Sequence, residues 1–404
     1  MRIAFLLTQD LESPSGLGRY WPLAKELNQL GHEVTILALH SNYVSLKSRQ
    51  KDFVREGVRV RYVGQMHVRK EGNHKFYFKP PRLLFLVLVG TARLARAALS
   101  TPADAYHVGK PHPMNGLAGL VASKLRRKPL YLDCDDYEAA SNRIRLNWQR
   151  RIISFVERKL PFHCDAITVN TQFLLDLLKE RGVSEERITW VPNGFDPARF
   201  RPVPIKCVRS LRSELGLQRE KKVVLYLGSI SLASHPLTLL LEAFNIVGQA
   251  QPEAVLLLVG GGEDYAELRH QARQMGIADQ TVFAGRVPPE DVPVYLALAT
   301  VSVDPVLGDP VACARSPLKL VESMAAGVPV VTGDVGDRRK LTKSGAVGML
   351  VSPGDSRALA EGLLSLLEDP GRRSRMAQAA VQNRELWSWK GLVHRFLKAY
   401  ENAS

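Results

Sequence analysis

Ser316-Pro-Leu-Lys-Leu-Val-Glu-Ser-Met-Ala-Ala-Gly-Val-Pro-Val-Val331 sets one lysine and one glutamate in an otherwise apolar helical stretch, then runs directly into a strand of valines. If Ser316-Pro317 opens the helix, Ser316 caps it and Lys319 falls in the first turn, where the helix dipole disfavours a cation. A phosphate shared by the helix end and Lys319 resolves that conflict. Glu322 lies three residues on, on the same side, where a carboxylate can accept both hydroxyls of a ribose. The competing reading is a solvated Lys–Glu pair on a surface helix, worth little to stability. The flanking apolar MAAGVPVV argues against it.

A helix feeding a short, all-apolar strand recurs along the chain. The runs Ile3–Leu7, Val34–Leu39, Val58–Val63, Leu130–Leu132 and Ala166–Val169 precede a second series, Val223–Leu227, Ala254–Val259, Val282–Ala284, Val301–Val303 and Val328–Val331. Continuous Val/Leu/Ile runs of this length suit strands buried on both faces of a parallel sheet, so each half reads as an α/β, doubly wound domain. Between them VPNGFDPARFRPVPIKCVRS, residues 191–210, carries an Asn-Gly turn and four prolines, the composition of a linker. The expected division is 1–205, 206–385 and a C-terminal helix, 386–404, that packs back on the first domain. Length agrees, since 404 residues exceed what one core usually holds. Ligands bind beyond the carboxyl ends of parallel strands, so two such domains facing each other imply a cleft lined by loops.

Glycines mark several of those strand ends. SPSGLGRY follows the first strand and places Gly16 and Gly18 before a helix, where backbone can approach a ligand and the helix end favours an anion. An ordinary strand–helix turn explains it equally well, and with no third glycine and a tryptophan at 21 a nicotinamide site is not supported. In the second half VVLYLGSI ends at Gly228-Ser229 and AVLLLVGGGEDY ends at Gly260, Gly261 and Gly262, two open backbone edges in one sheet that suit a diphosphate.

The net charge of +15 is unevenly held. Residues 1–200 carry 31 Lys+Arg against 19 Asp+Glu, and residues 51–100 carry 11 against 3. Within that stretch, in RLLFLVLVGTARLARAAL, Arg82, Arg93 and Arg96 fall within roughly 60° of one another on a helix. Two readings stay open: a core helix with one solvated face, or a surface that docks on anionic lipid. No nucleic-acid-binding motif accompanies the charge. Cys134, Cys164, Cys207 and Cys313 lie far apart with no metal-site spacing and read as buried thiols in a reducing compartment. The longest apolar run, Leu83–Gly90, is shorter than a membrane span.

SPLKLVESMAAGVPVV, VPNGFDPARF, LLLVGGGEDYAEL with VFAGRVPPEDVPVYLALATVSVDPV, and GLGRYWPLAKELNQLGHEVTILA together resemble the group-1, family-4-type retaining glycosyltransferases of the GT-B fold, in that family's order and spacing. The resemblance implies a second domain that holds a nucleotide-diphosphate sugar, with Glu322 on the ribose, and a first domain that supplies the acceptor site. Members of the fold do not generally need a metal, and neither a metal nor a cofactor is expected here. The cysteines suit a cytoplasmic protein, and the basic first half with its arginine-faced helix suits one peripheral at the inner membrane face, so the expected acceptor is a glycan or lipid-linked.

The chain departs from the family at four places. The glutamate usual eight residues before Glu322 is Ala314. The arginine and lysine that follow the first strand of the second domain are Ser229 and His235, leaving Lys319 and Arg315 to supply charge at the β-phosphate. Where many members have a histidine after the fourth strand, LDCDDYE puts Asp135 or Asp136. Asp133, Asp135, Asp136 and Glu138 can then hydrogen-bond sugar hydroxyls, coordinate a metal, or form a polar strand-end loop. A nucleotide-sugar epimerase of the same fold and a non-catalytic sugar-nucleotide-binding protein are the alternatives these departures leave open.

Overall fold

Along β1 (Arg2–Leu7), Ile3, Phe5 and Leu7 enter one core while Ala4 and Leu6 enter another, so the strand is buried on both faces. The same is true of its neighbours, and the computed structural model, which describes residues 1–13, 15–71, 74–141 and 147–401, shows the doubly covered parallel sheets this pattern requires. Packing divides the chain into two units. One comprises Met1–Gly194, Ala314–Ser316 and the chain from Trp389 on; the other comprises Phe195–Cys313 and Pro317–Ser388. The expected boundary near 205 thus compares with a division at Gly194/Phe195, and no helix or strand lies between Trp190 and Ile205.

The first unit's eight-stranded sheet has the order β10-β9-β8-β7-β1-β2-β4-β3. Its strands are β2 (Glu33–His40), β3 (Asp52–Arg55), β4 (Val58–Gln65), β7 (Ala105–Gly109), β8 (Leu130–Cys134), β9 (Ala166–Val169) and β10 (Ile188–Trp190), with β1 between β2 and β7. All pairs are parallel except β3 with β4. A separate antiparallel ribbon joins β5 (Val68–Glu71) to β6 (His74–Tyr77). Helices Pro80–Ser100 and Pro113–Arg126 cover one face, and helices Trp21–Gln29 and Trp389–Glu401 the other, where Phe396 stacks on Phe5 and Trp389 joins the same core.

The second unit has a six-stranded, wholly parallel sheet in the order β13-β12-β11-β14-β15-β16. These are β11 (Lys222–Leu227), β12 (Ala254–Val259), β13 (Thr281–Gly285), β14 (Val301–Asp304), β15 (Val330–Gly333) and β16 (Gly348–Val351). Chain order reverses on either side of β11, which places a topological switch between β11 and β14.

β3, β5, β6, β7, β10 and β16 escape the run-based reading. AYHVG is interrupted by His107, a buried ring that sits among Phe5, Phe396 and Tyr400 rather than in solvent. Counting it makes β8 the fifth parallel strand, not the fourth, ahead of the acidic loop. Of the four cysteines, Cys134 and Cys164 are buried, whereas Cys207 and Cys313 are partly exposed. Helix Pro80–Ser100 is long and apolar enough to cross a bilayer by length and composition, which Gly90-Thr91 hides from a count of consecutive apolar residues. Gly90, Leu94, Ala97 and Ala98 nevertheless pack into the first unit.

Candidate active site

The carboxyl ends of β11 and β14 lie side by side in the second unit, as Val224 pairs with Val301 and Leu225 with Ser302. Helix Leu318–Ala325 brings Lys319 to that edge. Its Nζ lies 3.4 Å from Asp304 Oδ1 at the end of β14 and 4.3 Å from the centre of the Tyr226 ring on β11. A Cβ added at Gly228 would sit 3.3 Å from the same Nζ, so the glycine leaves room for the ammonium. Asp304 is itself held from below: Arg338 Nε donates to Oδ2 at 2.9 Å and Thr332 Oγ1 at 3.0 Å. Burial would push Asp304 up; the Arg338 guanidinium and the Lys319 ammonium outweigh it and hold the carboxyl at about 2. The result is a fixed cation at the first turn of a helix, at the switch point of a parallel sheet, which is the electrostatics a diphosphate needs.

Glu322, one turn on, is 5% exposed and meets a different partner. Arg199, from the ARF of the linker, donates through Nη1 to Glu322 Oε1 at 3.1 Å and through Nη2 to the Pro289 carbonyl at 2.6 Å. Burial pushes the Glu322 carboxyl up against the pull of Arg199. Lys319 and Glu322 are therefore not a solvated pair: each is drawn into the unit by its own counter-charge. Ser316 does not cap the helix. Pro317 occupies that position without a side-chain cap, and Ser316 Oγ accepts from the Asn193 amide at 2.9 Å while its carbonyl accepts from Asn193 Nδ2. Arg315 and Ser316 pack with the first unit.

The glycine-ended strands serve one another. A Cβ at Gly260 would fall 1.7 Å from the Gly228 carbonyl oxygen, and one at Gly262 would fall 2.0 Å from that of Ile230. Two backbone loops thus cross with no room for a side chain. The amides of Gly228 and Gly260 donate to the carbonyls of Val259 and Gly285, and the Gly261 carbonyl accepts from the Ile230 amide, so Gly228 and Gly260 are not the open donors expected at this edge. The Ser229 carbonyl accepts from the Tyr226 hydroxyl at 2.9 Å, and the His235 ring lies 6.4 Å from that of Tyr226. Lys319, Tyr226, Gly228, Ser229 and His235 form one cluster.

In the first unit the glycines after β1 are also absorbed by packing. The Gly16 amide donates to Ser13 Oγ at 3.1 Å, and the Gly18 carbonyl accepts from the Trp389 indole at 3.0 Å. Both sit in a short π-helical turn, Gly16–Tyr20. Next to them Arg19 makes a bidentate bond to Asp133, 2.6 Å on each side, and reaches the Val191 carbonyl at 3.0 Å. Asp133 is fully buried and also accepts from Thr168, which removes it from the set of sugar-contacting acids.

The other acids of that loop surround Lys110. Its Nζ stands 3.2 Å from Asp135, 4.0 Å from Asp136 and 2.9 Å from Glu138. Lys110 takes φ +70°, a left-handed backbone that L residues rarely hold, directly after β7. Burial pushes the Asp135 carboxyl up to about 6; Lys110 pulls against it, and neighbouring Asp133 and Glu138 add to it. Asp135 therefore takes up a proton more readily than an ordinary carboxyl.

Lys110, Arg199, Tyr226, Asp304 and Arg338 were not singled out by sequence reasoning. Arg199 stands in a quoted stretch, and the Gly109-Lys110 and Val303-Asp304 steps at strand ends were the available signals. Arg338, more than thirty residues from its carboxylate, carried none.

Two separate parallel α/β units, with the charged cluster of the second at its sheet's switch point, define the GT-B architecture, and solved structures share it over the whole chain. One is HepE from Anabaena in complex with UDP-glucose, 20% identical, with a TM-score of 0.75 and 99% of each chain covered. Residues 15–194 match the glycosyl transferase 4-like domain and residues 208–383 match the glycosyl transferases group 1, and the chain is a glycosyltransferase. It is similar to mannosylfructose-phosphate synthase of Agrobacterium fabrum, 26% identical over 94% of this chain and 84% of that protein. It is also similar to D-inositol 3-phosphate glycosyltransferase of Corynebacterium efficiens, 28% identical over 72% of this chain and 70% of the relative.

Proposed function

We propose that this chain is a retaining glycosyltransferase of the family-4 type that moves a hexosyl group from a nucleoside-diphosphate sugar to an acceptor hydroxyl on a glycan or a lipid-linked glycan. The observation that carries the reading is Lys319, held by Asp304 over the Tyr226 ring beside Gly228. As the bond from the anomeric carbon to the diphosphate oxygen breaks, charge develops on that oxygen, and a prepositioned ammonium stabilises it without reorganising. Glu322 takes the ribose hydroxyls, with Arg199 as its counter-charge in a buried site. From the first unit, Asp135 and Asp136 contact hydroxyls of the transferred sugar. The acceptor oxygen attacks on the face that the diphosphate leaves, its proton passes to the departing phosphate, and no protein nucleophile is used. The HepE structure is a complex with UDP-glucose, which supports a nucleotide sugar as the donor class here.

Calorimetric titration with UDP, GDP and ADP tests the donor site. One nucleotide should bind well above the others, and Glu322→Ala and Lys319→Ala should each weaken it by about 1–3 kcal/mol with the fold intact. Unchanged affinity in both variants would return the two residues to a purely structural role.

A further inference from the structure

We propose that the outward face of three neighbouring helices in the first unit, Pro80–Ser100, Pro113–Arg126 and Asn147–Lys159, is a docking surface for anionic membrane lipid. The proposal rests on the fold and on this face alone, not on the donor-site reading.

Helix Asn147–Lys159 shows why. Trp148, Ile152 and Phe155 recur at i, i+4 and i+7, the spacing of a stripe that ordinarily faces the core, yet all three are exposed, Phe155 to 63%. The helix's one acid, Glu157, is instead turned inward and is 4% exposed. Its polarity is inverted relative to a helix that faces water. Helix Pro80–Ser100 repeats the pattern in its first half, where Leu84, Phe85 and Leu88 are exposed while Leu94, Ala97 and Ala98 are buried.

The two stretches belong to one face. Helix Pro113–Arg126 packs against both: Gly90 of the first approaches Met114, and Gly116 fits against Leu160, which directly follows the third. Buried residues of the first two helices and Leu160 join a single core, against which Val156 of the third packs partly buried. Between the two apolar stretches the middle helix exposes Leu117.

Charge selects the occupant. The three helices carry nine Lys and Arg and one acid, the buried Glu157, so no carboxylate of theirs faces outward. Apolar and aromatic side chains rimmed by cations match an anionic lipid surface, where the rings enter the headgroup boundary and the cations meet phosphate. The same charge works against pairing with a second copy, because two such faces would oppose like charges. The packing of Gly90, Leu94 and Ala98 into the unit makes this surface contact rather than a span.

The test uses the intact protein and vesicles of phosphatidylcholine alone or with 30% phosphatidylglycerol. Co-sedimentation should be at least tenfold stronger on the anionic vesicles at low salt and should fall several-fold in 0.5 M salt. Phe85→Ser with Phe155→Ser, and separately Arg150→Gln with Arg151→Gln, should each cut it about tenfold while circular dichroism and thermal midpoint stay unchanged. Equal binding to both vesicle types overturns the proposal. So does wild-type binding by both folded variants, or a concentration-dependent dimer that Phe155→Ser dissolves, which would assign the face to a second copy.

Discussion

Replacing Asp304 with Asn removes the carboxylate on which the Lys319 cluster is built while preserving its shape. Asp304 is 3% exposed and titrates at about 2 instead of its ordinary 3.8. At about 1.4 kcal/mol per pH unit, that difference stabilises the second unit by roughly 2–3 kcal/mol at neutral pH. Stranding a buried cation can cost more, about 3–5 kcal/mol. Arg338, however, keeps its bonds to Thr332 Oγ1 and the carbonyls of Ala312 and Val335, so the lower figure should hold. Hydrogen–deuterium exchange of the β14 and β15 amides reads this locally, and exchange through unfolding of the sheet should accelerate about 60-fold in Asp304→Asn. The pH dependence supplies a second check. The folded-state value lies below the unfolded one, so the contribution is complete above about pH 4 and is lost as pH falls toward 2. Wild-type protection should therefore drop between pH 5 and pH 3 by more than that of the variant. Acceleration of less than about threefold, or identical acid sensitivity in both proteins, would refute the claim that this ion network organises the site.

Two further outcomes follow from the same geometry. With the Asp135 carboxyl at about 6, sugar transfer should lose activity as pH falls through that value, because the acid takes up a proton; Asp135→Asn should remove the acid limb and slow transfer more than it weakens binding of the bare nucleotide, and equal loss of both would contradict the sugar-contact role. Gly260→Ala places a methyl 1.7 Å from the Gly228 carbonyl oxygen and should lower stability by about 2–4 kcal/mol in urea unfolding, whereas a neutral outcome would mean that the two loops separate easily.

What the sequence determined on its own is the part written in short-range pattern. Uninterrupted apolar runs such as AVLLLV can be satisfied only by strands covered on both faces, so two parallel-sheet halves and the Pro-rich stretch between them were legible, as was the oddity of Lys319 and Glu322 in an apolar helix. Runs broken by one polar residue, such as AYHVG, were not, because burial of His107 depends on rings contributed by Phe5, Phe396 and Tyr400 from distant parts of the chain. The partners of the charges were decided by tertiary structure alone. Lys319 meets Asp304, Glu322 meets Arg199, and Asp133 is spent on Arg19, pairings that span from 15 residues to 123 and follow no local period. The glycines changed meaning for the same reason: Gly16, Gly18 and Gly260 were read as openings toward a ligand, and three of their neighbours in space, Ser13, Trp389 and Gly228, turn out to fill them. A sequence specifies which residues cannot stay in water. Which carboxylate neutralises which cation, and so which groups remain to bind a phosphate or a sugar, is set only when β11 comes to lie beside β14 and the linker folds Arg199 onto Glu322.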